Sequence, residues 1–378
     1  MKSLTAAILT LGAIATATDT PPAPADDFAV QMFSTLAKTQ QGNLVFSPAS
    51  LEAVVRLLQQ GARGETATEL AALPMGKTGT PTTITPIEAN ALFIADSLQL
   101  SPDISADELF LVPFGTNNAK AADFINAWAK KHTNGLIAHI LSAKDLTPLT
   151  RLVAANAIYL KAKWSIPFAP EDTQENAVFT MADGTTTKVD MMFQQEELRY
   201  AEGDDWQAVV LYYRADKRYT PDMQWVGFIG ILPKGDAREF AATLTPQKYQ
   251  TIRAALATGY PQDTIVYLPR FSMDSGVFSL KPALEACGVT LSFSESADYS
   301  GFAEGLMLSN VLQRCYVKVD EAGTEAAAVT VAIAVEGCCA PGERRKPKYI
   351  RFDRPFIWVI GDLNSTAAPY FMGLTEKP

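Results

Sequence analysis

Residues 318–335 read KVDEAGTEAAAVTVAIAV, and the reading of this stretch decides how the rest of the chain is understood. Counted in steps of two, Thr324, Ala326, Ala328, Thr330, Ala332 and Ala334 are all small. The alternate set, Glu325, Ala327, Val329, Val331, Ile333 and Val335, is dominated by β-branched side chains. Segregation at period two with β-branched content is a strand signal. A face made only of small residues lets such a strand slide between two others without a clash. No proline or turn dipeptide interrupts it, and Gly323 supplies a flexible backbone position at its start. Residues 336–348 (EGCCAPGERRKPK) are opposite in character, polar with two prolines and two glycines, and read as an exposed loop. By themselves the two segments fit an ordinary strand before a hairpin loop as well as they fit bait mounted on a strand held in reserve.

Working outward, the chain alternates helical and strand patterns without an internal linker, so one domain is expected despite 378 residues. Residues 26–38 (DDFAVQMFSTLAK) have apolar positions at helical spacing behind an aspartate cap. In residues 42–50 (GNLVFSPAS) a short apolar strand is stopped by Ser-Pro, and Ser50 is expected to cap a helix over 51–60. Residues 61–66 (GARGET) close that helix and open a shorter one over 67–73, followed by a Thr/Pro/Gly-rich loop at 74–86. Strands are expected at 89–94 and 109–112, a helix at 121–133 closed by Asn134-Gly135, and an apolar strand at 152–160 carrying one buried amide, Asn156. Further strands are expected at 208–213, 225–232, 264–268 and 350–360, with another helix at 274–286. The balance is α+β with large antiparallel content.

The N-terminus reads as a secretory signal peptide over residues 1–17: Lys2, an apolar run at 4–15 too short to cross a bilayer, and the small-x-small site Ala15-Thr16-Ala17. Residues 18–27 (TDTPPAPADD) read as a disordered tether, and the remaining 28–378 as the folded domain. A secreted or extracellular location is therefore expected, periplasmic or at the cell surface in a bacterium, with no membrane span. A net charge of −9 lacks the footprint of a nucleic-acid binder. Only two histidines occur, His132 and His139, with no metal-ligand spacing around them, and neither a G-x-S-x-G nor an H-E-x-x-H motif is present. Gly76-Lys77-Thr78 resembles the end of a phosphate loop, but position 71 is alanine where the leading glycine belongs. No metal or cofactor is expected and an enzyme is not. Of the four cysteines, Cys287 and Cys315 read as buried small apolar residues, and Cys338-Cys339 is an adjacent pair.

Residues 321–328 (EAGTEAAA) match almost residue for residue the inhibitory hinge of serpins, and the chain resembles that family over nearly all of 28–378. Residues 43–50 with 61–66 resemble its N-terminal strand and following helix, and 152–168 (LVAANAIYLKAKWSIPF) its central strand. Residues 189–192, 268–271, 297–301, 354–356 and 371–373 resemble further family motifs. The resemblance implies an α+β single domain, helices packed around three mostly antiparallel sheets, with an exposed reactive-centre loop at about 321–348. It implies a hinge of Glu321, Gly323, Thr324, Glu325, Ala326, Ala327 and Ala328, a shutter of Ser47, Ser50, Asn156 and Gln313, and a breach tryptophan, Trp164. It implies a monomer that traps a target protease as a covalent acyl-enzyme; the alternative is a non-inhibitory serpin acting as carrier or storage protein. Counting along the family pattern places the reactive bond between Gly337 and Cys338, with Val335, Arg344 and Arg345 as alternatives and a protease preferring small residues as the favoured target. Gln313 stands where many serpins have a histidine, so no histidine-type pH step in sheet opening is expected. The region that binds heparin in many serpins is shrunk to 74–86 with one lysine, so activation by polyanions is not expected. Asn364-Ser365-Thr366 is a lone glycosylation sequon.

Overall fold

The segment 152–159 is apolar but for Asn156 because it is covered on both faces. In the computed structural model, which describes residues 24–77, 82–101, 108–215, 225–324, 346–365 and 367–378, all eight of its residues are buried. Helices are α1 (Pro24–Thr39), α2 (Pro48–Gly61), α3 (Gly64–Ala71), α4 (Asn118–His132), α5 (Ala237–Ala242), α6 (Pro246–Thr258) and α7 (Lys281–Ala286). Strands begin with β1 (Leu44–Phe46), β2 (Ile87–Ala95), β3 (Leu109–Val112), β4 (Leu152–Tyr159), β5 (Ala162–Lys163), β6 (Gln174–Thr180), β7 (Thr186–Glu202), β8 (Trp206–Tyr212) and β9 (Val226–Pro233). They continue with β10 (Gln262–Pro269), β11 (Phe271–Asp274), β12 (Phe278–Ser279), β13 (Leu308–Asp320), β14 (Gly323–Thr324), β15 (Lys348–Arg351), β16 (Phe356–Asp362) and β17 (Phe371–Thr375).

The main sheet runs β3-β2-β4-β13-β14-β5, with β11 and β12 pairing the far parts of β13. Its alternate residues serve two cores, as period-two geometry requires. Ala91, Phe93, Val153, Ala155 and Ala157 pack under α4 with Ala121, Ile125 and Trp128. Leu92, Ile94, Leu152, Ala154 and Val311 face the opposite core, shared with α1, α2, α5 and α6. A second network, β1-β17-β16-β9-β8-β7-β10-β15 with β6 on β7, divides along the long strand β7. The first part of β7 pairs β6 and β10, and its last four residues, Arg199–Glu202, pair β8. The result is three sheet bodies. Most ladders among the described residues are antiparallel, the parallel ones being β2 on β3, β10 on β15 and β4 on β13.

Local chemistry corrects several sequence-based boundaries. Helix α1 begins at Pro24, so residues 24–27 belong to a helix and not to the expected tether; proline suits a first helical turn because the amide it lacks has no intrahelical acceptor there. Ser47, not Ser50, caps α2: its hydroxyl accepts from the Ser50 amide at 3.3 Å, and Pro48 opens the helix instead of preceding it. The expected helix at 274–286 is a helix only from Lys281, because Gly276 turns the chain at φ 62° and Phe278–Ser279 joins β13. The expected strand at 350–360 is two, β15 and β16, which lie in different parts of the second network and are separated at residues 352–355. At the end of α4 the Asn134-Gly135 stop forms as read, with both residues at positive φ and the Gly135 amide donating to the Lys130 carbonyl at 2.8 Å. Cys315 is fully buried, whereas Cys287 is only half-buried; both are free thiols.

Candidate functional site

The chain leaves β13 at Asp320, turns over Glu321-Ala322 and comes back as β14, antiparallel to β13 with Val319 opposite Thr324 and Asp320 opposite Gly323. On its other side β14 pairs β5, Gly323 with Lys163 and Thr324 with Ala162. Residues 323–324 therefore sit inside the main sheet, wedged between two strands. Only glycine fits position 323: φ is +152°, and a β-carbon there would lie 2.1 Å from the Ala162 carbonyl oxygen. Thr324 is fully buried, and its hydroxyl shares a 2.6 Å hydrogen bond with the Tyr213 hydroxyl.

An aromatic and ionic clamp holds this turn. Trp164 stacks on Tyr213 with ring centroids 4.6 Å apart and planes 9° from parallel. Its indole nitrogen donates to the Asp320 carbonyl at 2.8 Å, and its backbone amide donates to the Ala322 carbonyl at 3.0 Å. The Phe168 amide donates to the Glu321 carbonyl at 3.0 Å. The Glu321 carboxylate receives Arg270 Nε and Nη2, at 2.8 and 2.6 Å in their shorter contacts, and the Thr173 hydroxyl at 2.7 Å. Arg270 reaches on to Asp190 at 3.0 Å. Burial by itself would raise the Glu321 pKa, but the bonds from Arg270 and Thr173 together outweigh it and hold the carboxyl below its ordinary range. Burial pushes the Tyr213 phenol well up, so it stays a neutral donor and acceptor.

Beyond Thr324 the neighbours change. β13 and β4 pair directly and in parallel, from Leu308 beside Leu152 to Tyr316 beside Tyr159. Halfway along, three amides share one register row across three strands: Asn90 on β2, Asn156 on β4 and Gln313 on β13. Gln313 Nε2 donates to Asn156 Oδ1 at 3.0 Å and to the Ser47 carbonyl at 3.1 Å, and Gln313 Oε1 accepts from the Ser47 amide at 2.8 Å. Asn156 Nδ2 donates to Ser50 Oγ and to Asn90 Oδ1. Ser47, Ser50, Asn156 and Gln313 are all buried, so the network ties the N-terminus of α2 to the seam between β4 and β13 with its polar atoms partnered. The buried Cys315 thiol, pushed far up by burial, approaches Gln313 Oε1 at 3.4 Å and is not a nucleophile.

The structure thus brings Ser47, Ser50, Asn156 and Gln313 into one cluster, and Glu321, Gly323, Thr324 and Trp164 into another. Glu325, Ala326, Ala327, Ala328, Val335, Gly337, Cys338, Arg344 and Arg345 lie outside the described residues, as do residues 1–17 and most of the tether. Reading the sequence missed Asn90, Tyr213, Thr173 and Arg270. Asn90 is a lone amide in an apolar run like Asn156, a signal that was there to be weighed; the other three are ordinary residues until the fold sets them beside the turn.

Three comparisons agree with this geometry. A family model described as serpin (serine protease inhibitor) matches residues 23–78 and 84–378. A serpin-like protein of Thermococcus kodakarensis is 32% identical over 383 residues, covering 93% of this chain and 84% of its own. Among solved structures, native protease nexin-1 with heparin is 26% identical with a TM-score of 0.78 over 94% of this chain and 98% of that one. Thyroxine-binding globulin in complex with thyroxine is also 26% identical, with a TM-score of 0.75 over 94% and 98%.

Proposed function

The chain belongs to the serpin family, and from that premise we propose that it is a suicide-substrate inhibitor of serine endopeptidases, with cysteine endopeptidases open to the same acyl chemistry. The protease nucleophile attacks a carbonyl in the exposed loop, the peptide bond breaks, and the amine side departs as a new N-terminus. The acyl side stays esterified to the enzyme. Freed at one end, the loop continues the strand that β14 begins. The observation that carries this reading is β14 itself, two residues already paired antiparallel to β13 at the entrance to the β4–β13 seam.

Extending that register accounts for the sequence. With Thr324 opposite Val319, position 326 meets Val317, 328 meets Cys315, and Thr330 meets Gln313. Residues directly opposite in a sheet share a face, so Thr330 delivers its hydroxyl to the row of Asn156 and Gln313, while the other inward positions are alanines. Thr330 thereby joins a polar cluster instead of burying its hydroxyl without a partner. One parallel ladder is exchanged for two antiparallel ones, and antiparallel pairing is somewhat the more stable per residue. Twelve residues, 324–335, at about 3.3 Å each carry the attached enzyme on the order of 40 Å.

Cleavage is placed at 335–338, around Gly337-Cys338, by a protease preferring small residues. The protein works as an exported monomer without a polyanion cofactor. Among the described residues no helix is long and apolar enough to cross a membrane. The test is incubation with elastase-, subtilisin- and trypsin-like enzymes, followed by denaturing electrophoresis and mass spectrometry of the released peptide. A complex surviving denaturation is the expected result. Cleavage by all three classes without any complex would favour the second reading, a carrier or storage serpin; the structural relative holding thyroxine is the observation behind that alternative.

A further inference from the structure

Beside Ser165-Ile166, β7 and β8 line a partly open cavity of about 180 Å³. Ile166, Leu198, Val210 and Leu211 form its apolar wall, and Gln194, Glu197, Arg199 and Tyr212 line it as well. Gln194 is 8% exposed, and its side-chain carbonyl oxygen is buried without a hydrogen-bond partner. A buried, unpartnered amide in a native fold calls for an explanation.

We infer that this cavity is a binding site for a small neutral carboxamide: a single ring against the aliphatic walls, with its amide paired to the amide of Gln194. The volume suits that size, since an apolar cavity of about 150 Å³ takes up benzene. An amide supplies both a donor and an acceptor, so it complements Gln194 whichever way the side-chain amide is turned. A carboxylate is disfavoured because Glu197 lines the cavity and would repel it, and the lining cation Arg199 is engaged through Nη1. Arg199 Nη1 donates to the carbonyls of Leu256, Ala257 and Gly259 at 3.2, 2.8 and 2.6 Å. The site also adjoins the hinge clamp, for the Ser165 amide donates to the Tyr212 carbonyl at 2.8 Å and the next residues back are Trp164 and Tyr213.

The proposal does not depend on inhibition, and its test uses no protease. Benzamide and toluene are titrated separately into the full chain, followed by heteronuclear NMR with methyl assignments. Benzamide is expected to saturate at millimolar concentrations, with ring-to-methyl NOEs to Leu198, Val210 and Leu211, and to bind at least tenfold more tightly than toluene. Gln194→Leu, similar in volume and apolar, should weaken benzamide at least tenfold and strengthen toluene. Absence of saturable benzamide binding, NOEs to other methyls, toluene binding as tightly as benzamide, or undiminished benzamide binding in Gln194→Leu would each overturn the assignment. If that variant fails to fold, the wild-type NOEs and the benzamide-to-toluene ratio decide by themselves.

Discussion

Asn156 shows how one residue holds a seam shut. Its amide is the middle of the row Asn90–Asn156–Gln313, and removing it leaves Gln313 Nε2 and Ser50 with fewer partners in a buried place. Each orphaned buried polar group costs about 1–3 kcal/mol. Asn156→Leu is therefore expected to lower stability by about 2–4 kcal/mol in urea denaturation, and a loss under about 0.5 kcal/mol would show that the row is decorative. The same row holds no histidine, and its glutamine is bonded at both ends without titrating. Sheet-opening rates between pH 5 and 8 should thus show no step near 6.5, whereas Gln313→His should introduce one. At Glu321 the sign runs the other way. Its folded pKa lies below the unfolded value of about 4.3, so its anchoring is complete above that pH and is lost as pH falls through the folded value. Protection factors of the Phe168 and Trp164 amides should fall as pH drops through that folded value in the wild type but show no such acid step in Glu321→Gln.

At the scale of elements, β14 is two residues long and rests on a backbone that no side chain allows. Gly323→Ala would force its β-carbon onto the Ala162 carbonyl at a φ that L-residues rarely adopt, so β14 should detach from β5. We expect the variant's hinge to become a better protease substrate and its Trp164 fluorescence to shift; unchanged spectra and proteolysis would contradict the geometry. Thr324→Arg puts a charge where the structure buries a hydroxyl against Tyr213, at a cost of several kcal/mol. That variant should be cleaved and released without a covalent complex, and retained trapping would rule out entry at Thr324. Elements with strong local signals were legible in the sequence: the strand at 109–112 and the Asn134-Gly135 stop appear where read, and the apolar strand read at 152–160 forms over Leu152–Tyr159. The seventeen-residue β7 was not, because it serves two sheet bodies and its exposure pattern changes along its length. The start of the 274–286 segment was misread because pairing with β13 overrides a helical spacing of apolar residues.

For the whole molecule, the present arrangement leaves a pairing unmade. The β4–β13 ladder is parallel, β14 is antiparallel to β13, and under the proposed insertion the residues that extend β14 would add a second antiparallel ladder with alanine and threonine at the even positions. A chain nicked within 335–345 and allowed to relax should therefore unfold at a higher temperature than the intact chain, and an equal or lower midpoint in calorimetry would argue against insertion. Composition, charge, the hinge octapeptide and the period-two pattern of 324–335 were decided by sequence alone, because they depend on residues adjacent in the chain and on strand periodicity. Tertiary structure decided which side chains meet. Asn90 reaches Asn156 across a ladder, Arg270 and Thr173 find Glu321 from elsewhere in the chain, and Tyr213 closes over Thr324. Such contacts follow from strand register and from the folding of distant segments onto one another, and no local spacing encodes them.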